Sequence, residues 1–473
     1  MLIGDFYYEI PTEFPSLVVT SVYFVVFCLM VFVLARPFKS ILRPYILLIA
    51  NCVFLWSFSK DYYFLILIVV CSFVSYLIGL LLNNTKNKTL LFFGIGIFVL
   101  LLMYYKYRGF ITGESIVIPL GLSFYSFKII SYLVDIYKGK NGAERNIICY
   151  FDYIMFFPCI TAGPINRYKE FTEELKERKE FDYKDAKSGG FQFTLGIFEK
   201  IVFCDYIAEI ATRILENSSI VGLNVLLGIF LYAFQIYLDF DAASNIAIGS
   251  ARLLGFHLPK NFNSPYLSRN LKEFWNRWHI SLSTWFKDYI YIPLGGNQQG
   301  NYKKYLNLII VFIVSGFWHG STVNFLLWGL LHGIIRIFED VVESKIVIIK
   351  KNNIIINFIR IVINFIIVSF LWIPFKYQNG SDIVELMNRL FIQGTIDFEA
   401  IGLTINETYW LLIVMIIVIL LDILRNNWDM LFVFNRILLP FRWVVYAVLI
   451  VVFLIFGVYG GSFEATDFIY RFF

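Results

Sequence analysis

The chain has 473 residues, 59% of them hydrophobic, 19% aromatic and only 16% charged, against the roughly 25% charged residues of an ordinary soluble domain. The apolar residues come in blocks of membrane-crossing length, which excludes a soluble enzyme and makes this a polytopic membrane protein. The net charge of +5 sits mostly in short loops and is read as membrane topology, not nucleic-acid binding.

In chain order, Leu17 to Ala35 is free of charge and long enough to cross a bilayer as a helix. Asp5, Glu9 and Glu13 precede it and Arg36, Lys39 and Arg43 follow. Basic loops stay in the cytoplasm, so the N-terminus is expected outside, and without a small-residue cleavage site the run is expected to be a retained span. Further spans are expected at Tyr45 to Ser57, Tyr62 to Leu82, Thr89 to Tyr105 and Ile116 to Ile136. Lys86 and Lys88, then Lys138, Lys140 and Arg145, fall on the inner side of this scheme; Lys106 and Arg108, at an outer end, run against it.

Between about 147 and 300 the apolar runs are short, broken by Pro158, Gly163, Pro164, Pro259, Pro265 and Pro293, and mixed with charge. Non-helical backbone survives at membrane depth only under protein or beside a water-filled cavity. Re-entrant and interfacial helices forming a bowl are therefore expected, with 167–190 as a cytoplasmic segment. Regular spans return at Tyr305 to Trp318, Val323 to Phe338, Ile354 to Phe375, Tyr409 to Leu421 and Trp443 to Ser462. Lys345, Lys350 and Lys351, then Arg425, Arg436 and Arg442, mark inner loops, which leaves the tail from Phe463 outside. The expected fold is all-α, with about 10–12 transmembrane helices and shorter re-entrant helices around a central funnel. It forms one domain over 1–473: N-terminal spans (1–146), a core (147–340), and C-terminal spans with the tail (341–473).

Three of the four histidines, His279, His319 and His332, lie between Phe274 and Gly333, beside tryptophan or glycine. Imidazole exchanges protons near neutral pH, and burying several in a membrane is costly unless they face a cavity or a partner. His319 stands between Trp318 and Gly320 at the end of an apolar run, where glycine admits close approach. His279 belongs to the cluster Trp275-Asn276-Arg277-Trp278-His279. Within a span, His332 also suits plain helix packing, and His257 reads as a loop residue. Spacings of 40 and 13 residues between the three histidines carry no zinc signal. No GxSxG elbow or P-loop is present, while a secondary transporter with broken helices stays open. The six cysteines, without CxxC spacing, read as buried bystanders. Tyr470, in the tail Asp467-Phe468-Ile469-Tyr470-Arg471-Phe472-Phe473, is either an interfacial anchor or a mobile acceptor.

Phe274–Gly296, with its Trp275-Asn276-Arg277-Trp278-His279 and Lys287-Asp288 stretches, together with Phe317–Gly320, closely resembles the membrane-bound O-acyltransferase family. The likeness is to its bacterial branch of alginate O-acetyltransferases and teichoic-acid D-alanyl transferases. Ile118–Tyr125, Phe157–Arg167 and Ile246–Tyr266 extend it over much of the chain. One departure is Ala243-Ser244-Asn245, where relatives have Tyr-Ser-Asp. The resemblance implies His319 as catalytic histidine and His279 as a second histidine on the same tunnel. Trp275, Asn276, Arg277, Trp278, Lys287, Asp288, Trp318 and His332 are the accompanying tunnel or donor-binding candidates. Tyr470 matches an aromatic tail that relays the acyl group in some relatives. Acetyl-CoA is the implied donor substrate, with no permanently bound cofactor and no metal. The implied partners are an extracytoplasmic esterase-like (SGNH-type) acetyltransferase, a polysaccharide synthase complex and membrane lipids. The bacterial inner membrane is the implied location, and D-alanyl transfer the implied alternative.

Overall fold

The computed structural model of the chain describes residues 21–35, 42–59, 62–112, 117–177, 182–345 and 353–458, and every regular element among them is helical. Among the described residues six helices are long and apolar enough to cross a membrane: Tyr62–Thr85, Lys88–Gly109, Leu223–Leu253, Ile354–Lys376, Ile405–Asn427 and Leu439–Phe456. Tyr23–Ala35 and Arg43–Ser57 are shorter apolar helices. Phe93, Leu100, Ile366 and Leu454 stay exposed on outward faces, as a lipid-facing surface requires. Polar residues turn inward: the Ser72 and Ser75 hydroxyls are buried and donate to the Ile68 and Cys71 carbonyls of their own helix, each at 2.7 Å.

The middle third differs from the broken bowl expected of it. Leu223–Leu253 is one continuous 31-residue helix, buried over most of its length at the centre of the molecule. Its acidic residues belong there because bases meet them. Lys200 bridges Asp239 at 2.7 Å and Asp205 at 2.9 Å, and Arg425 pairs with Asp241 at 2.8 Å and with Glu199. A π-helical turn, Glu199–Cys204, places Glu199 and Lys200 for these contacts. Asn245 donates to Glu199 at 3.0 Å. Short helices do occur around this core: Phe157–Ile160, Leu271–Arg277 and Ile280–Phe286.

Gly300–His319 and Val323–Lys345 form a hairpin joined by the short turn 320–322. Their backbones touch through glycine: a Cβ on Gly329 would stand 2.3 Å from the Phe312 carbonyl oxygen, and one on Gly316 2.4 Å from that of Phe325. Gly329→Ala is therefore expected to destabilise the protein by about 1–3 kcal/mol, seen as a lower Tm in detergent. Gly96→Ala, where a Cβ meets nothing within 4 Å, is expected to leave Tm unchanged.

Candidate active site

His319 is the last residue of Gly300–His319, so the helix end sets its height in the membrane. It is 3% exposed, and its ring lies 4.7 Å from Trp318, 5.0 Å from Trp328 and 5.1 Å from Phe375, centroid to centroid. Trp328 also touches His332 at 4.8 Å and Trp372 at 6.0 Å. The His332 Nδ1 accepts a 3.4 Å hydrogen bond from the Trp275 indole. Trp372 in turn lies 4.9 Å from Trp278, the neighbour of His279. His319 and His332, 13 residues apart in sequence, thus share one aromatic shell, and His279 adjoins it through its neighbour Trp278.

His279 is almost fully buried and adopts φ +41°, an uncommon conformation for a residue with a side chain, which persists only where its surroundings impose it. Asn261 does so here. Its carbonyl accepts from the Ile280 N–H at 2.9 Å, its side-chain oxygen accepts from the Ser281 hydroxyl at 2.6 Å, and its amide donates to Ser244 at 3.0 Å. The His279 ring stands edge-on to Phe240, with centroids 4.5 Å apart.

Two cavities approach this shell along the Leu223–Leu253 helix. One, of about 460 Å³, is lined by His319, Lys106, Gln235, Thr322 and Tyr377 among others. The second, of about 100 Å³, is lined by Asp241, Asn245, Lys260, Asn261 and Arg425. Gln235 and Asp241 are six residues apart on one helix, about 9 Å. Phe240, with His279 against it, lies between them.

The remaining candidates divide. Trp318 stacks on Phe127 at 5.1 Å, and Trp278 stacks on Phe274 at 5.3 Å, both as parts of the aromatic shell. Arg277 is held by Glu273 at 2.8 Å and Asn426 at 2.7 Å. Asn276 and Lys287 are exposed, Asp288 is paired with Arg167 at 3.0 Å, and none of the three lines either cavity. Tyr470 lies outside the described residues. Reasoning from sequence passed over Trp328, Trp372, Phe375 and Asn261, whose roles depend on contacts between distant segments. Lys106 registered only as an exception to the topology.

A buried histidine at a helix end, lining a cavity among apolar spans, gives a candidate membrane-embedded active site. Residues 68–377 match the membrane-bound O-acyltransferase (MBOAT) family, and the chain belongs to it: it is an O-acyltransferase. It is 31% identical over 374 residues to the probable alginate O-acetylase AlgI of Pseudomonas aeruginosa, covering 75% of this chain and 70% of that protein. It is also 31% identical over 346 residues to the peptidoglycan O-acetyltransferase of Helicobacter pylori, covering 64% and 66%. The teichoic acid D-alanyltransferase of Bacillus subtilis is 32% identical over 233 residues, covering 46% and 57%.

The fourth histidine stands apart from the shell. His257 is clamped at the surface, its Nδ1 2.7 Å from Glu174 and its Nε2 3.0 Å from Asp185. Hydrogen bonds to Asp185 and Glu174 raise its pKa from 6.5 to about 9. Since the folded value lies above the unfolded one, this stabilisation is complete below about pH 6.5 and fades as pH rises through about 9. The Tm of wild type is expected to fall between those values more steeply than that of His257→Gln, measured side by side in detergent.

Proposed function

We propose that this protein moves an acetyl group from cytosolic acetyl-CoA across the bacterial inner membrane for O-acetylation of a cell-surface polysaccharide, such as alginate, cellulose or peptidoglycan. The observation that carries this reading is the buried His319 lining one cavity, with a second cavity lined by Asp241 and Arg425 further along the same central helix. On the charge-based topology, which places both termini outside, the Arg425 cavity faces the cytosol and the His319 cavity faces outward. A thioester donor enters the first, with Lys260 at its mouth for the donor's phosphates; Lys287, on the surface, lies away from that path. His279, at the partition, orients the thioester. His319 takes the proton of the acceptor hydroxyl as the tetrahedral intermediate forms, help worth on the order of 10²–10⁴ in rate. Tyr470 is the first acceptor in this scheme. It passes the acetyl group to an extracytoplasmic esterase-like transferase, which modifies the glycan beside its synthase.

The test uses purified protein in proteoliposomes supplied with acetyl-CoA, with the C-terminal peptide read by mass spectrometry. His319→Ala is expected to lower acetyl transfer at least about 10²-fold while remaining folded, and to leave Tyr470 unmodified. Persistent transfer in that variant removes His319 from the chemistry. CoA release by wild type without an ester on Tyr470 removes the relay but keeps the transferase. Failure with acetyl-CoA, but transfer from a D-alanyl carrier-protein thioester, replaces acetyl by D-alanyl.

A further inference from the structure

Lys106 is 6% exposed in a span, lines the cavity that holds His319, and has no carboxylate partner among the described residues. Its ammonium donates to the carbonyl of Trp318, the residue before His319, and stands 5.1 Å from the Trp318 ring. That accounts for one of its three N–H donors. The neighbouring Tyr107 hydroxyl lies against the same helix end, 2.8 Å from the Phe317 carbonyl and 3.1 Å from that of Gly320. A neutral hydroxyl is therefore enough for capping, and capping does not explain a charge. Lys376, the other lysine of this cavity, is already paired with Glu216 at 3.0 Å. Burying an ammonium without a counter-charge is costly, and an ionisable residue kept at membrane depth points to a function beyond packing.

We propose that Lys106 is a further catalytic residue, the electrostatic partner of the anionic oxygen that forms during transfer; this rests on the acyl-transfer reading above. The acceptor hydroxyl oxygen bonds to the thioester carbonyl carbon, and its proton passes to His319. The carbonyl electron pair moves onto oxygen, and that oxyanion forms against the Lys106 ammonium. Collapse restores the C=O bond and breaks C–S, and the departing thiolate takes the proton from His319. The outward position of Lys106, against the inside preference of basic residues, follows from this role.

The experiment compares wild type, Lys106→Met and Lys106→Arg, full chain in lipid nanodiscs. Lys106→Met is expected to lower kcat about 10²–10³-fold, as loss of an oxyanion donor does, with KM for the donor within about threefold. Lys106→Arg is expected to recover about tenfold or more of that loss, since it keeps the charge. A phosphonate mimic of the tetrahedral intermediate is expected to bind Lys106→Met at least about tenfold more weakly, while a non-reactive thioether analogue of the donor binds as before. An undiminished kcat in Lys106→Met overturns the proposal, as does equal loss of phosphonate and thioether binding, which marks a structural role. Wild-type protein that transfers nothing from acetyl-CoA overturns the acetyl-transfer reading itself, an outcome separate from any difference among the Lys106 variants.

Discussion

Lys200 between Asp239 and Asp205, and Arg425 between Glu199 and Asp241, are the contacts on which the centre of this molecule depends. They allow a helix carrying two carboxylates to run through the interior instead of at its edge. A lone buried charge is not tolerated in such surroundings, and removing one partner of such a pair costs about 3–5 kcal/mol. With the charges matched, one face of the helix lines the His319 cavity at Tyr232 and Gln235, and a later stretch lines the other at Asp241 and Asn245. The polar network is thus structural in origin and sets the spacing of the two cavities.

Around that axis the candidate site is built mainly from aromatic rings. Trp275, Trp328, Trp372 and Phe375 pack around His319 and His332, and Trp278 joins them through Trp372. Aromatic walls lower the local dielectric, which strengthens the electrostatic interactions of any polar group among them. The left-handed backbone at His279, held by Asn261, shows local strain maintained by surrounding hydrogen bonds.

The hairpin ending in His319 adds a mechanical constraint. Glycine lets its two helices meet backbone to backbone, which leaves little freedom to slide or rotate. Lys106 and Tyr107 then bind the carbonyls at its end from the Lys88–Thr112 helix. The position of one imidazole is therefore set from two directions, by the packing of its own hairpin and by capping from a helix more than 200 residues away in sequence.

By itself the sequence determined the membrane class and most of the outer helices, because uncharged apolar blocks have few alternatives to spanning a bilayer. It also marked His319 and His279 as candidates, since imidazoles among tryptophan and glycine in an apolar chain are costly unless they face a cavity or a partner; the roles proposed for them came from the family resemblance. Only the tertiary structure decided the central helix. From the linear chain Asp239 and Asp241 look like interruptions, and their partners Lys200 and Arg425 lie 39 and 184 residues away, beyond any local pattern. The same holds for Lys106: charge counting makes it a topological exception, and its place beside the carbonyl of Trp318 emerges only when two distant helices pack. Short-range rules of periodicity and charge describe the shell of such a protein. Pairing between remote segments builds its centre.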